Sequence, residues 1–298
     1  MSVVIPVKNA AAYILEAIDS ALNQGADVGE VIVVDDGSTD DTVAIVSAIR
    51  DSRMRLIRNR SAGVSAARNL GARNSNGRWL LFLDADDRLR GHAVPTLVSA
   101  ANASPHAVLV YGDYNLIDSA GQQIGRRDLL KGRRKPSGNV LARLTAGNFI
   151  VNGGIMLVDA KAFDEAGGFD ETLKFCEDWH CWCRLAAIGE FQFVPALLLD
   201  YRIHTANTMN AATRSPLDFL PAVARVFGDK LILGKLAPGS WPRLREAAEI
   251  HLITYSATQA VRFGRYREAF HYLRIVSQRS LAALPRAAAK TVLAGFGI

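Results

Sequence analysis

The chain has 298 residues, of which 49% are hydrophobic and 21% charged, with a formal net charge of +6. This is the composition of a folded globular protein large enough for one sizeable domain with an appendage, and it excludes a disordered or fibrous chain. No apolar run approaches the roughly 20 residues needed to cross a bilayer, and the three cysteines, Cys176, Cys181 and Cys183, lie within eight positions. Their odd number and clustering argue against a disulfide framework and fit a reducing compartment.

The opening residues Met-Ser-Val-Val-Ile-Pro lack a basic leader, a full apolar segment and a small-residue cleavage site, so a cytoplasmic chain is expected. The charge is unevenly distributed. Residues 211–298 carry 13 Lys and Arg against 5 Asp and Glu, while the rest of the chain is slightly acidic. The surplus points to an anionic partner, and the tail has no recognisable nucleic-acid motif. Its charges lie on amphipathic helical patterns, so the expectation is an anionic membrane surface or partner enzyme, with the chain peripheral on the inner face of the membrane.

Val3-Val4-Ile5-Pro6-Val7 reads as a β-branched strand, expected to end at Pro6 because proline cannot donate to a ladder. A helical period follows at Ile14, Leu15, Ile18 and Leu22, with Gly25 as the stop. A second strand, Glu30 to Val34, runs into Asp35-Asp36-Gly37-Ser38-Thr39-Asp40, a tight loop able to cap the next helix. Met54 to Ile57 is a third, shorter strand. Gly63 to Gly71 is rich in small residues and suits a helix packed closely on a sheet; Arg68 is its single large cation.

Trp79-Leu80-Leu81-Phe82-Leu83 is an unbroken apolar run, the pattern of a strand buried on both faces. It delivers Asp84, Asp86 and Asp87 to its carboxyl end, where open α/β sheets place their ligands. In an extended chain Asp84 and Asp86 face the same way, forming a site for a hard divalent cation and an anion bound through it. Strands alternating with helices over residues 1–110 predict β-α-β units and a mostly parallel sheet. The first strand is not followed by Gly-x-Gly-x-x-Gly, which excludes the usual dinucleotide-binding signature.

Another strand is expected at Val108 to Asp113, then a turn at Ile117–Gly121, and a charged surface loop at Arg126–Lys135, expected to be mobile. Asn152-Gly153-Gly154 precedes a strand at Ile155–Val158, and Gly167-Gly168 marks a loop. Glu177 to Ala187 predicts a helix ending at Gly189, with Glu177 and Asp178 in its first turn. Cys176, His180 and Cys183 share a face of that helix, but three ligands without a second pair argue against zinc. Two short closing strands are expected at Phe191–Val194 and Leu197–Tyr201. Beyond about residue 210 strand signals stop, and helices are expected over Arg243–Arg262, Tyr266–Arg279 and Leu281–Val292.

Taken together, Val-Val-Ile-Pro-Val-Lys-Asn (3–9), Val-Val-Asp-Asp-Gly-Ser-Thr-Asp (33–40), Gly-Val-Ser-Ala-Ala-Arg-Asn (63–69), Leu-Asp-Ala-Asp-Asp (83–87) and Glu-Asp-Trp (177–179) resemble the family 2 inverting glycosyltransferases of the GT-A fold. The resemblance spans roughly residues 2–208. It implies a GT-A type α/β domain over 1–208, with a mostly parallel mixed sheet flanked by helices, and a basic α-helical appendage over 209–298.

It also implies roles. Pro6, Val7 and Asn9 would line the pocket of a nucleoside-diphosphate sugar, such as a UDP-sugar. Asp36, with Asp35 beside it, would bond the base. Arg68 would contact the nucleotide, and Asp84 with Ala85 the ribose or uracil. Asp86 would bind Mn2+ or Mg2+, with His204 as a second metal ligand. Asp178 would be the catalytic base. Asn152, Gly153, Glu177 and Trp179 would form the sugar and acceptor pocket, for a saccharide or lipid-linked saccharide. His180 stands where a further acid is usual in the family.

Two other readings compete. A sugar nucleotidyltransferase would need a glycine-rich loop with a basic finger after the first strand, which Val7-Lys8-Asn9-Ala10 lacks. A non-catalytic protein gripping an anionic surface would use only the basic tail.

Overall fold

The computed structural model describes residues 1–61, 63–124, 135–150, 155–204 and 214–295. Most of the charged loop at 126–135 and the Asn152-Gly153-Gly154 segment therefore lie outside the described residues.

In chain order the elements are β1 (Ser2–Val7), α1 (Ile14–Leu22), β2 (Glu30–Asp35), α2 (Thr42–Ala48), β3 (Met54–Arg58), α3 (Val64–Arg73), β4 (Trp79–Phe82), β5 (Arg88–Leu89), α4 (Ala93–Ala103) and β6 (Ala107–Ile117). They continue with α5 (Leu141–Thr145), β7 (Met156–Asp159), α6 (Ala160–Glu165), α7 (Glu177–Ile188), β8 (Glu190–Arg202), α8 (Leu220–Val226), α9 (Lys230–Lys235), α10 (Trp241–Arg262), α11 (Tyr266–Arg279) and α12 (Leu284–Gly295).

The eight strands form one mixed sheet in the order β3-β2-β1-β4-β7-β6-β8-β5. Four of its seven neighbouring pairs are parallel, including β1 with both β2 and β4. Alternate strand residues point to opposite faces, and each face has its own apolar core. Val3, Ile5, Val31, Val33 and Leu81 pack under α1 and α4. Val4, Ile32, Val34, Leu80 and Phe82 pack under α3 and α7. The continuous apolar runs are thereby explained, because both faces are dry. Gly71 permits the close approach of α3. A Cβ there would sit 2.3 Å from Val4 Cγ1 and 3.2 Å from Val34 Cγ2.

Three local expectations are corrected. β1 does not end at Pro6, which pairs in register with Val34. Val4 directs its carbonyl toward Leu83 N on the β4 side, and Pro6, two residues on, faces the same side. β4 has already ended there, so no ladder bond is lost. The apolar run leaves the sheet at Phe82, and Ala85-Asp86 form a turn closed by Asp87 N donating to Asp84 O at 3.1 Å. The two closing strands are one, β8, whose register against β6 shifts around Pro195, where a ladder bond is missing anyway.

The C-terminal helices continue the core on the α7 face. Phe219, Ala222, Val223, Val226, Ile232, Ala248 and Leu252 share one apolar cluster with Trp179, Trp182 and the sheet residues Val4 and Phe82. No helix among the described residues is long and apolar enough to cross a membrane.

Candidate functional site

The carboxyl ends of the parallel strands β1, β2 and β4 lie side by side, so the loops that follow them meet at one edge of the sheet. Those loops are tied by polar side chains. Asn9, at φ +53°, donates its backbone N–H to Ser38 Oγ at 3.0 Å and accepts from Thr39 N at 2.7 Å. Asp35 is buried and accepts from Ser38 N at 2.9 Å, which holds the turn behind it. Asp36 accepts from Asn59 Nδ2 at 2.8 Å and from Gly63 N at 3.1 Å, so it bridges the loops after β2 and β3. Pro6, Val7 and Ala85 are buried, Val7 in the core under α1.

The turn after β4 places Asp84 and Asp86 at this edge, 31% and 27% exposed. Asp84 Oδ1 accepts from Arg68 Nη2 at 2.7 Å. Asp86 Oδ2 lies 3.0 Å from His204 Nε2, joining residues 118 positions apart. Burial raises the Asp86 carboxyl above its ordinary range; the neighbouring Asp84 charge adds to this, and His204 opposes it.

The turn is braced from behind by Arg202, whose Nε donates to Asp86 O at 2.8 Å and whose guanidinium sits 4.7 Å from the centre of the Tyr13 ring. The Tyr13 ring in turn contacts His204, with centroids 4.9 Å apart. Arg202 and Tyr13 belong to none of the motifs. An arginine two residues before a predicted ligand histidine was the one available signal.

Arg68 reaches across the site. Its Nη1 donates to Glu177 Oε1 at 3.3 Å, so one guanidinium joins the Asp84 turn to the start of α7. Burial disfavours its charge, but Asp84, Glu177 and Asp178 hold its pKa above the ordinary value. Its buried Nε has no acceptor among the described residues.

α7 begins at Cys176 in the left-handed region, φ +58°, an uncommon conformation for a residue other than glycine. This entry puts Glu177 and Asp178 into the first turn. Asp178 Oδ1 accepts from Trp179 N at 2.7 Å, and Oδ2 accepts from Asn148 Nδ2 at 3.2 Å. Burial, with the Glu177 charge beside it, pushes the Asp178 carboxyl up to about 7, against the opposing effects of Trp179 N, Arg68 and Asn148.

Asn148 is itself fixed, accepting from Ile150 N at 3.0 Å. The motifs do not contain it, and its place after Gly147 in a short linker carried no stronger signal than a turn. Trp179 is buried, with Nε1 donating to Leu144 O at 2.8 Å. It therefore supports the Asn148 segment from beneath. Asn152 and Gly153 are outside the described residues. His180 turns away from the site, its Nε2 lying 3.0 Å from Asp229 Oδ2.

The arrangement thus has a carboxylate–imidazole pair, an arginine bridge and a carboxyl poised near neutrality, all on one sheet edge. The residues at the first of these fit a hard divalent cation. Two crowded, partly buried carboxylates with an adjacent imidazole are relieved by positive charge, and Mg2+ is commonly held by one or two carboxylates with phosphate oxygens completing the shell. Among the described residues no group of three or more His, Cys, Asp and Glu side chains converges as a self-sufficient metal site.

Comparison with known proteins bears on the family and the fold. Residues 2–166 match the family described as "Glycosyl transferase family 2". An uncharacterized glycosyltransferase of Rickettsia prowazekii is 31% identical over 215 residues, which are 71% of this chain and 66% of that protein. The succinoglycan biosynthesis protein ExoO of Rhizobium meliloti is 30% identical over 98% of this chain and 80% of its own. The chain spans from 29% to 66% of the lengths of six such relatives. Among solved structures, residues 1–349 of S. aureus TarS in complex with UDP-GlcNAc superpose with a TM-score of 0.68 at 17% identity, over 99% of this chain and 88% of that one. That likeness concerns the fold, and it is the GT-A arrangement that the motifs predict.

Proposed function

The chain belongs to glycosyl transferase family 2, and from that premise we propose that it transfers a sugar from a nucleoside-diphosphate donor, a UDP-sugar, to a hydroxyl group of a saccharide or lipid-linked saccharide during polysaccharide assembly, with inversion at the anomeric carbon. The observation that carries the reading is Asp178, a carboxyl pushed up to about 7 and joined through Arg68 to the Asp84–Asp86 edge. A general base is most effective when its pKa lies near the working pH.

The chain's residues divide the task. The loops carrying Asn9 and Asp36 receive the nucleotide base, and Arg68 faces the donor from the side of α3. Asp86 and His204 would hold Mn2+ or Mg2+, which when bound supplies charge stabilisation to the departing diphosphate. Asp178 Oδ2, oriented by Asn148, takes the proton from the acceptor hydroxyl. The acceptor oxygen, losing that proton, forms its bond to the anomeric carbon as the carbon–phosphate-oxygen bond breaks, and the electron pair leaves with the diphosphate. A single displacement needs no covalent intermediate, so neither a serine nor a cysteine nucleophile is required. Cys181 and Cys183 are buried, and burial raises their thiol pKa values, which leaves them inert.

A thermal-shift screen of nucleotide sugars, with and without Mn2+, tests the donor class. A ligand that binds only the folded state raises Tm. A UDP-sugar is expected to do so in the presence of the metal, and no shift with any nucleotide sugar would overturn the reading.

A further inference from the structure

Among the described residues, the outward face of α11 is left without a protein partner. One side of this helix, at Tyr272, Leu273 and Val276, packs with Ile253 of α10 and Ala287 of α12. The opposite side presents Tyr266, Arg267, Phe270 and Arg274, spaced at helical repeats, with Leu281 just beyond its end. Tyr266 is 69% exposed, Phe270 74% and Leu281 77%. Single exposed apolar residues are ordinary; what distinguishes this face is the chemistry around them. The one acid of α11, Glu268, is paired with Arg265, and α12 contains none. Arg262, Arg267, Arg274, Arg286 and Lys290 have no carboxylate partner among the described residues. Arg267 and Arg274, without a carboxylate partner among the described residues, thus share the exposed side of α11 with protruding aromatic rings.

We propose that this face docks on an anionic lipid bilayer. The arginines would lie among phosphate headgroups, and Phe270, Tyr266 and Leu281 would enter the boundary below them, as in amphipathic helices that lie in a membrane interface. Protruding aromatic and aliphatic side chains between arginines on one exposed helix side suit a sheet of headgroups better than a strand of nucleic acid, which is held in grooves. α10 carries His251, whose ring fills the space beside Gly147, next to the Asn148 that orients Asp178. The claim does not depend on the transfer reaction.

The test is co-sedimentation of the full chain with phosphatidylcholine vesicles, and with vesicles in which part of that lipid is replaced by phosphatidylglycerol. Binding is expected only to the second and should fall as salt rises, because screening acts within about 8 Å at physiological ionic strength. Replacing Arg267 and Arg274 with Gln should weaken it about fivefold for each residue, the fold-change that corresponds to about 1 kcal/mol per basic side chain near such a surface. Phe270→Ala should weaken it at least tenfold, in line with about 1.5–3 kcal/mol for burying such a side chain. All three residues are exposed, so unchanged melting of the variants verifies their folding. Asp178→Asn should bind vesicles like the unmodified chain, which separates this proposal from the catalytic one. Equal binding to both vesicle types, binding to neither, or retention by single-stranded RNA alone would overturn it.

Discussion

At the scale of single residues, the proposed chemistry rests on Asp178. Asp178→Asn keeps the size and the bond from Asn148 or its equivalent but cannot accept a proton. Transfer should fall by about 10²–10⁴-fold, while calorimetric affinity for donor stays unchanged. Because the carboxyl must be ionised to act, kcat/KM should rise with pH through about 7. Glu177→Gln should move that limb to lower pH. It removes the neighbouring negative charge and also frees Arg68 from its second carboxylate, and both changes favour ionised Asp178.

The same shift has a sign in stability. The folded carboxyl holds its proton up to about 7, whereas the ordinary value is 3.8. The native state therefore binds more protons than the unfolded chain between those values. The associated stability is complete below 3.8 and is lost as pH rises to about 7. Above pH 7, Asp178→Asn should melt at a higher temperature than the unmodified protein. Asp86→Ala tests the other end of the site. UDP binding measured by calorimetry should lose its dependence on Mn2+, and equal binding with metal, with chelator and in the variant would remove Asp86 from metal binding.

At the scale of elements, α3 matters most, because it carries Arg68 and lies directly on β1 and β2. Its approach depends on Gly71. Gly71→Ala would drive a methyl group into Val4 and Val34, both at the centre of the sheet. Denaturant unfolding should show a loss of about 1–3 kcal/mol, the usual cost of overpacking a tight core. A shift of the helix away from the sheet would also displace Arg68 from Asp84, so donor affinity should fall with stability. The start of α7 is the second such element. Its strained Cys176 places two acids in one turn, and Arg68 reads both the turn and the Asp84 edge.

On the scale of the whole molecule, the helices after residue 214 are tied into the α7 face. Asp229 Oδ2 lies 3.0 Å from His180 Nε2 and 3.2 Å from Arg184 Nη1, and Asp229 also caps α9 through Leu231 N. Phe219 is 3% exposed in the core that contains Trp179. Phe219→Ala should cost about 3–5 kcal/mol, and tryptophan fluorescence and circular dichroism should report it as one shared transition. Two separated transitions would show that the C-terminal helices unfold independently.

The sequence by itself determined most of what is local or periodic. Apolar runs marked the buried strands, Gly189 the end of α7, and the spacing after residue 241 the pair α10 and α11, because strand and helix periods are written in neighbouring residues. The motifs also named Asp84, Asp86, Arg68 and Asp178. Tertiary structure alone decided which of these meet and who supports them. Pro6 stays in its strand because β4 stops short of it. Asp86 meets His204 across 118 positions, Arg68 splits its guanidinium between two loops, and Asn148, Arg202 and Tyr13 enter the site with no motif to announce them. His180 turns away from the sheet edge to hold Asp229. Such pairings, and the burial that shifts Asp178, depend on packing between distant segments, and no local pattern encodes the distance between them.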